Sequence, residues 1–111
     1  MVNKKIRTID VYKQAGAEMR LFKSVGRKLA EDISQVLPAQ DTDSFLRILD
    51  RIGVICSRAE DNMFHDHPEI SNDYLDVFYG DVSGEPRNDV DAEIIGKAKE
   101  TADELFKRKT N

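Results

Sequence analysis

The chain has one cysteine, three prolines and no apolar run long enough for a signal peptide or a membrane span. A single thiol, Cys56, excludes an internal disulfide, and together with the missing apolar run it points to a reducing, cytoplasmic setting. Sustained alternation of β-branched residues is also missing, which argues against a sheet. The glycines at 16, 26, 53, 80, 84 and 96 never cluster in the spacing that cradles a phosphate, and no serine stands beside a histidine in a nucleophile motif. There is no repeat and no low-complexity tract. What remains is a chain of 111 residues and 12.6 kDa, 40% apolar and 34% charged, well outside the disordered and collagenous classes. It reads as one domain, 1–111, long enough to bury roughly two-thirds of the surface its unfolded form exposes.

The apolar residues repeat at helical spacing. From Ile9 to Leu37, Ala15, Met19, Phe22, Leu29, Ile33 and Val36 fall four and three apart, with Gly26 at the one missing position. Thr8 or Asp10 can cap this first helix, and Pro38 stops it by pushing the preceding residue out of the helical region. A second seam, Phe45, Leu49, Ile52, Cys56, Ala59 and Met63, predicts a helix that begins after Asp41-Thr42-Asp43 and runs to His65. Two such helices joined by a short Pro-containing loop form an antiparallel hairpin. The expected core joins Phe22, Leu29 and Ile33 to Leu49, Ile52 and Ile55. His67-Pro68 ends the second helix, and Ser71 can then cap a short third one, Asn72 to Tyr79, closed by Gly80 in a left-handed conformation. Residues 81–87 carry two breakers and no period, so they are a loop. Asn88 caps a last helix with Asp89, Asp91 and Glu93 in its first turn, and with Lys107, Arg108 and Lys109 at its end. Its buried edge is Ile94, Ile95, Ala98, Ala102, Leu105 and Phe106. The expectation is all-α: an irregular four-helix domain made of a long helical hairpin, a short third helix and a long C-terminal helix.

Charge is distributed unevenly along this plan. Residues 1–58 hold 11 basic and 7 acidic side chains, residues 59–96 hold 1 and 11, and residues 97–111 hold 5 and 3, so net charges of +4, −10 and +2 give −4 overall. A charge run is ordinarily a solvated face. A focused negative field can also steer a basic protein partner, provided apolar or aromatic anchors lie within it. Tyr74, Phe78 and Tyr79 lie in the densest acidic stretch, which makes Asp73, Tyr74, Asp76, Phe78, Tyr79 and Asp81 the candidate partner-binding residues. Nucleic acid is disfavoured, since the basic residues are scattered and no aromatic is interleaved with them.

Other constellations carry less. His65-Asp66-His67-Pro68-Glu69, with Asp61 one turn earlier, is a metal candidate, but histidines two apart at a helix end do not share a face and match no recognised zinc spacing. Asp73-x-x-Asp76 and Glu100-x-x-Asp103 each set two acids one turn apart. The 23 residues between the pairs resemble the spacing of all-α nucleotide pyrophosphohydrolases, which hold magnesium with four acids. Cys56 falls in the second helix's buried seam, where a thiol is inert. No cofactor and no catalytic residue is implied by the residues themselves.

From Ser44 to Phe106 the order of parts resembles the immunity proteins that neutralise DNase-type colicins and pyocins. The residues that carry the likeness are His67-Pro68 closing the second helix, Asp76-Val77-Phe78-Tyr79 on the short one, and the Asp- and Gly-containing loop to the last helix. The resemblance implies a small acidic four-helix protein with a shortened third helix, in which Asp76 and Tyr79 grip a toxin. The expected function is therefore a non-enzymatic, cytoplasmic protein-binding module for a basic partner. The alternatives are the metal-dependent enzyme and a structural homodimer through the first helix, whose Ala15, Gly16, Ala17 and Gly26 would let two copies approach.

Overall fold

The computed structural model describes residues 6–107. Over them the chain is helical, with α1 (Ile9–Ile33), α2 (Ala39–Asp66), a single 3-10 turn at Asn72–Tyr74, and α3 (Asp89–Leu105). Arg108 and Lys109, expected to load the end of the last helix, lie outside the described residues. The helix starts follow the capping logic in two cases: Thr8 Oγ1 accepts the Val11 N–H at 3.3 Å, and Asn88 Oδ1 accepts the Asp91 N–H at 2.8 Å. α2 differs. It opens at Ala39 from Pro38, whose carbonyl accepts the Asp41 and Thr42 N–H groups, so Asp41-Thr42-Asp43 lies inside the helix rather than before it.

α1 also ends sooner than expected. Past Ile33 the chain tightens into turns, with Val36 N–H on Ile33 O and the Ser34 hydroxyl on Glu31 O. A serine that bonds back to the preceding turn competes with helix propagation before Pro38 is reached. The largest departure is the third helix, which is a 3-10 turn followed by further turns and bends up to Gly80. The carbonyls at the end of this segment, which a helix closing at Tyr79 would leave without an intrahelical partner, are taken by side chains of α1. Asp76 O, Val77 O and Asp81 O accept from the Arg20 guanidinium, and Phe78 O accepts from Lys23 Nζ at 2.7 Å. Ser71 still caps the turn, through the Asp73 N–H.

α1 is the central element: it packs against α2 and against α3, while the backbones of α2 and α3 do not approach each other closely. The core lies where the first half of α1, the second half of α2, the segment after Tyr74 and α3 converge, and it comprises Tyr12, Ala17, Cys56, Met63, Val77, Phe78, Ile94 and Ala98. The second helix's seam is therefore buried only at its C-terminal end, through Cys56 and Met63. The expected hairpin core is not enclosed: Phe22, Leu29 and Ile55 are exposed, and Ile33, Leu49 and Ile52 are only half-buried. Leu105 and Phe106 are exposed as well. Two helices alone cannot enclose a seam, and the end of α3 reaches only as far as Phe22 and Val25 of α1.

Three glycines owe their identity to close approach within the chain. A Cβ on Gly16 would lie 2.5 Å from both the carbonyl oxygen and Cγ1 of Val77, one on Gly26 2.7 Å from Leu49 Cδ2, and one on Gly80 2.7 Å from the Arg20 guanidinium carbon. This corrects two expectations. Gly80 does not take a left-handed conformation, since Gly84 is the residue with positive φ, and Gly16 and Gly26 serve packing inside one chain. Ala17 is likewise fully buried in the core. By contrast, Gly53 and Gly96 sit in helices with nothing within 4 Å of an added Cβ. Denaturant melts should therefore separate the glycines. Gly53→Ala and Gly96→Ala should each stabilise by about 0.5–1 kcal/mol, whereas Gly16→Ala should cost about 1–3 kcal/mol through overpacking against backbone. Equal responses at the three sites would contradict this packing.

Candidate functional site

Two buried ionic clusters tie the irregular segment and the chain's early residues to the helices. The first centres on Arg20, fully buried on the inward face of α1, four and eight residues after Gly16 and Tyr12. Its guanidinium donates to the carbonyls of Asp76, Val77 and Asp81, and its Nη1 lies 2.7 Å from Asp91 Oδ1. That last contact is off the N–H direction, so it is ionic rather than an aligned hydrogen bond. Burial pushes the Asp91 carboxyl up. The Arg87 backbone N–H at 2.9 Å and the Arg20 and Arg87 guanidinium groups outweigh burial and hold it below the usual carboxylate range.

The second cluster is Arg7, Tyr12 and Asp66. Arg7 makes a two-pronged contact with Asp66 at 2.6 and 3.1 Å, and the Tyr12 hydroxyl donates to Asp66 at 2.6 Å. The Arg7 and Tyr12 hydrogen bonds bring the Asp66 carboxyl down to about 2, and burial, then the bond to Asp66, raises the Tyr12 hydroxyl to about 12. His67 closes this corner: its Nε2 is 2.7 Å from Arg7 O, its Nδ1 is 3.7 Å from Glu69, and its ring meets Tyr12 edge-on. It is therefore engaged in holding the corner, while His65 and Asp61 are exposed. Among the described residues no group of three or more His, Cys, Asp or Glu side chains is placed to hold a metal ion. The four carboxylates of the magnesium reading are not assembled either. Asp76 is paired with Arg87, and Glu100 borders a separate depression beside Gln14 and Glu18.

Next to the Arg20 cluster, the turns after Tyr74, the following loop and the start of α3 enclose a hollow of about 450 Å³. Asp76, Tyr79, Asp81, Glu85 and Asp91 line it around Arg87, which contacts Asp76 Oδ2 at 3.0 Å and Asp91 Oδ2 at 3.8 Å. Asp81 and Glu85 are exposed and make no ion pair among the described residues. Like-charge crowding extends to α2, where burial, then Asp61 and Asp76, push the Glu60 carboxyl up. The Tyr79 ring lies under Lys23, whose Nζ is 4.9 Å from its centroid, and its hydroxyl is 2.9 Å from Ser57 Oγ.

Of the six residues singled out from the sequence, three therefore meet in this hollow: Asp76, Tyr79 and Asp81. Asp73 is exposed elsewhere on the turn, and the half-buried Tyr74 lies under Lys13, which reaches on to Glu93 at 2.8 Å. Phe78 is 1% exposed and belongs to the core, so it is no surface anchor. Sequence reasoning missed Arg20 and the membership of Glu85 in the site. The available signal for Arg20 was its register with Tyr12 and Gly16, a charge on a face whose other members are small or aromatic.

No family model, no curated protein and no solved structure matches the chain. Among the described residues, no helix is long and apolar enough to cross a membrane.

The Asp66 cluster has a pH signature. Its folded carboxyl titrates at about 2, whereas an unfolded one titrates near about 3.9. The stability it contributes is thus complete above about pH 4 and is lost as pH falls towards 2. The melting temperature of the native sequence should fall more steeply over that interval than that of Asp66→Asn. Parallel curves would show that the pair carries no linked proton.

Proposed function

We propose that this chain is a protein-binding module that receives a basic partner at the acidic hollow formed by Asp76, Tyr79, Asp81 and Glu85. One observation carries the reading: Asp81 and Glu85 stand exposed at the rim of a formed depression with no ion pair among the described residues, in a stretch whose net charge is −10. A lysine or arginine entering the hollow finds two carboxylates that need no partner to be displaced, beside a Tyr79 side chain that Lys23 and Ser57 hold in place. The surrounding acids act at longer range, steering encounter rather than adding contacts. Phosphate-bearing partners are repelled by the same field.

An immunity-like role, neutralising a basic toxin through Asp76 and Tyr79, is the specific form we favour. Both residues lie in the hollow. In this reading the binding surface is supplied by turns anchored on Arg20, in place of a regular third helix.

The reading is tested by capture from the native cell with mass spectrometry, followed by stopped-flow binding of the captured protein. The recovered partner should be basic. Asp81→Asn combined with Glu85→Gln should slow its association about tenfold at low salt, an effect that shrinks as ionic strength rises. A partner that associates with native and doubly neutralised chains at the same rate would overturn the assignment of the hollow.

A further inference from the structure

The far end of the helical hairpin carries an apolar surface that the fold leaves uncovered. Phe22 (57% exposed) and Val25 (60%) form a ridge on α1, with Ile48 (55%) on α2 to one side and Leu105 (70%) and Phe106 (84%) at the end of α3 to the other. Depressions flank the ridge. One, of about 500 Å³, lies between Leu21, Phe22 and Val25 of α1 and Ala102, Leu105 and Phe106; the other, of about 130 Å³, lies between α1 and Phe45, Ile48 and Ile52 of α2. Phe22 and Val25 line both, so the surface is continuous across the three helices.

We infer that a second copy of this chain covers this surface, the two hairpins pairing about a twofold axis into a four-helix arrangement. Three observations select that occupant. The ridge with a depression on either side is self-complementary, so a twofold axis can place each copy's ridge in the other's depression, the reciprocity that a closed dimer requires. Phe22, Val25, Ile48, Leu105 and Phe106, each more than half exposed, present on the order of 600 Å², which meets the roughly 600 Å² each partner contributes at the lower end of specific, stable interfaces. The flanking charge is balanced, since residues 21–55 contain five basic and five acidic side chains, so two identical copies meet without net repulsion. A strongly basic partner is drawn instead to the acidic stretch that lies outside this segment. The small residues of α1 are not part of the argument, because Gly16, Ala17 and Gly26 are spent inside the chain. The inference also stands apart from the acidic hollow, and either can fail alone.

Sedimentation equilibrium of the full chain across a hundredfold dilution, with far-UV circular dichroism on each variant, decides it. The native sequence should approach twice the 12.6 kDa chain mass at high micromolar concentration. Val25→Glu with Ile48→Glu should sediment as a folded single chain under the same conditions. Leu75→Glu, exposed outside the two depressions, and the Asp81→Asn with Glu85→Gln variant should keep the native mass. A native mass fixed at that of one chain overturns the proposal whatever the variants do, and so does a folded Val25→Glu, Ile48→Glu chain that still doubles. Mass that climbs past two chains with concentration overturns the closed dimer. A single-chain species that floats with phosphatidylcholine–phosphatidylglycerol vesicles overturns it in favour of a lipid surface.

Discussion

The buried guanidinium of Arg20 is the constraint on which the rest of the structure depends. A fully buried cation is tolerated only when it is neutralised and its donors are filled. Here three backbone carbonyls and the Asp91 carboxylate meet that requirement. The carbonyls come from the segment between the 3-10 turn and the loop, so satisfying Arg20 pins that segment against α1. The carboxylate comes from the first turn of α3, so the same side chain sets where α3 begins against α1. Gly80 has no room for a Cβ because the Arg20 and Arg87 guanidinium groups occupy the space. Breaking a buried pair of this kind from one side typically costs about 3–5 kcal/mol.

Geometry at the acidic hollow follows from that anchor. The turns, held through their carbonyls, set Asp76, Tyr79 and Asp81 around one depression while Phe78 turns into the core. Arg87 neutralises Asp76 and part of Asp91, and leaves the charge of Asp81 and Glu85 at the rim. The Arg7–Tyr12–Asp66 cluster does equivalent work at the C-terminal end of α2, fixing the chain before α1 to the helix end that the segment after His67 departs from.

The cost of concentrating the packing around these clusters is visible at the other end. α3 crosses α1 near the ionic core, and beyond it the α1–α2 hairpin stands as two helices with their facing seam half-covered. Gly26 lets Leu49 approach α1 closely there, but Phe22, Val25, Leu29 and Ile48 remain exposed. The proposed partner surface and the proposed self-association surface are thus separate products of one packing choice. One lies where the turns are anchored, the other where the third layer is missing.

The sequence alone determined the helical class, because four- and three-residue apolar spacing together with the lack of β alternation leaves little else. It also determined the starts of α1 and α3 and the cap of the 3-10 turn, since Thr8, Asn88 and Ser71 act through backbone N–H groups two or three residues away. The burial of Cys56 and Met63 was legible from the second seam for the same local reason. Tertiary structure decided the rest. Helical spacing says which residues share a face but not whether another element arrives to cover it, so the same seam pattern is buried at Cys56 and bare at Phe22 and Leu29. Nor does spacing reveal that a charged residue will turn inward. Arg20 does so because carbonyls more than fifty residues away, together with Asp91, accept its donors and neutralise its charge, and that long-range exchange holds in place the turns that shape the site where a third helix was expected.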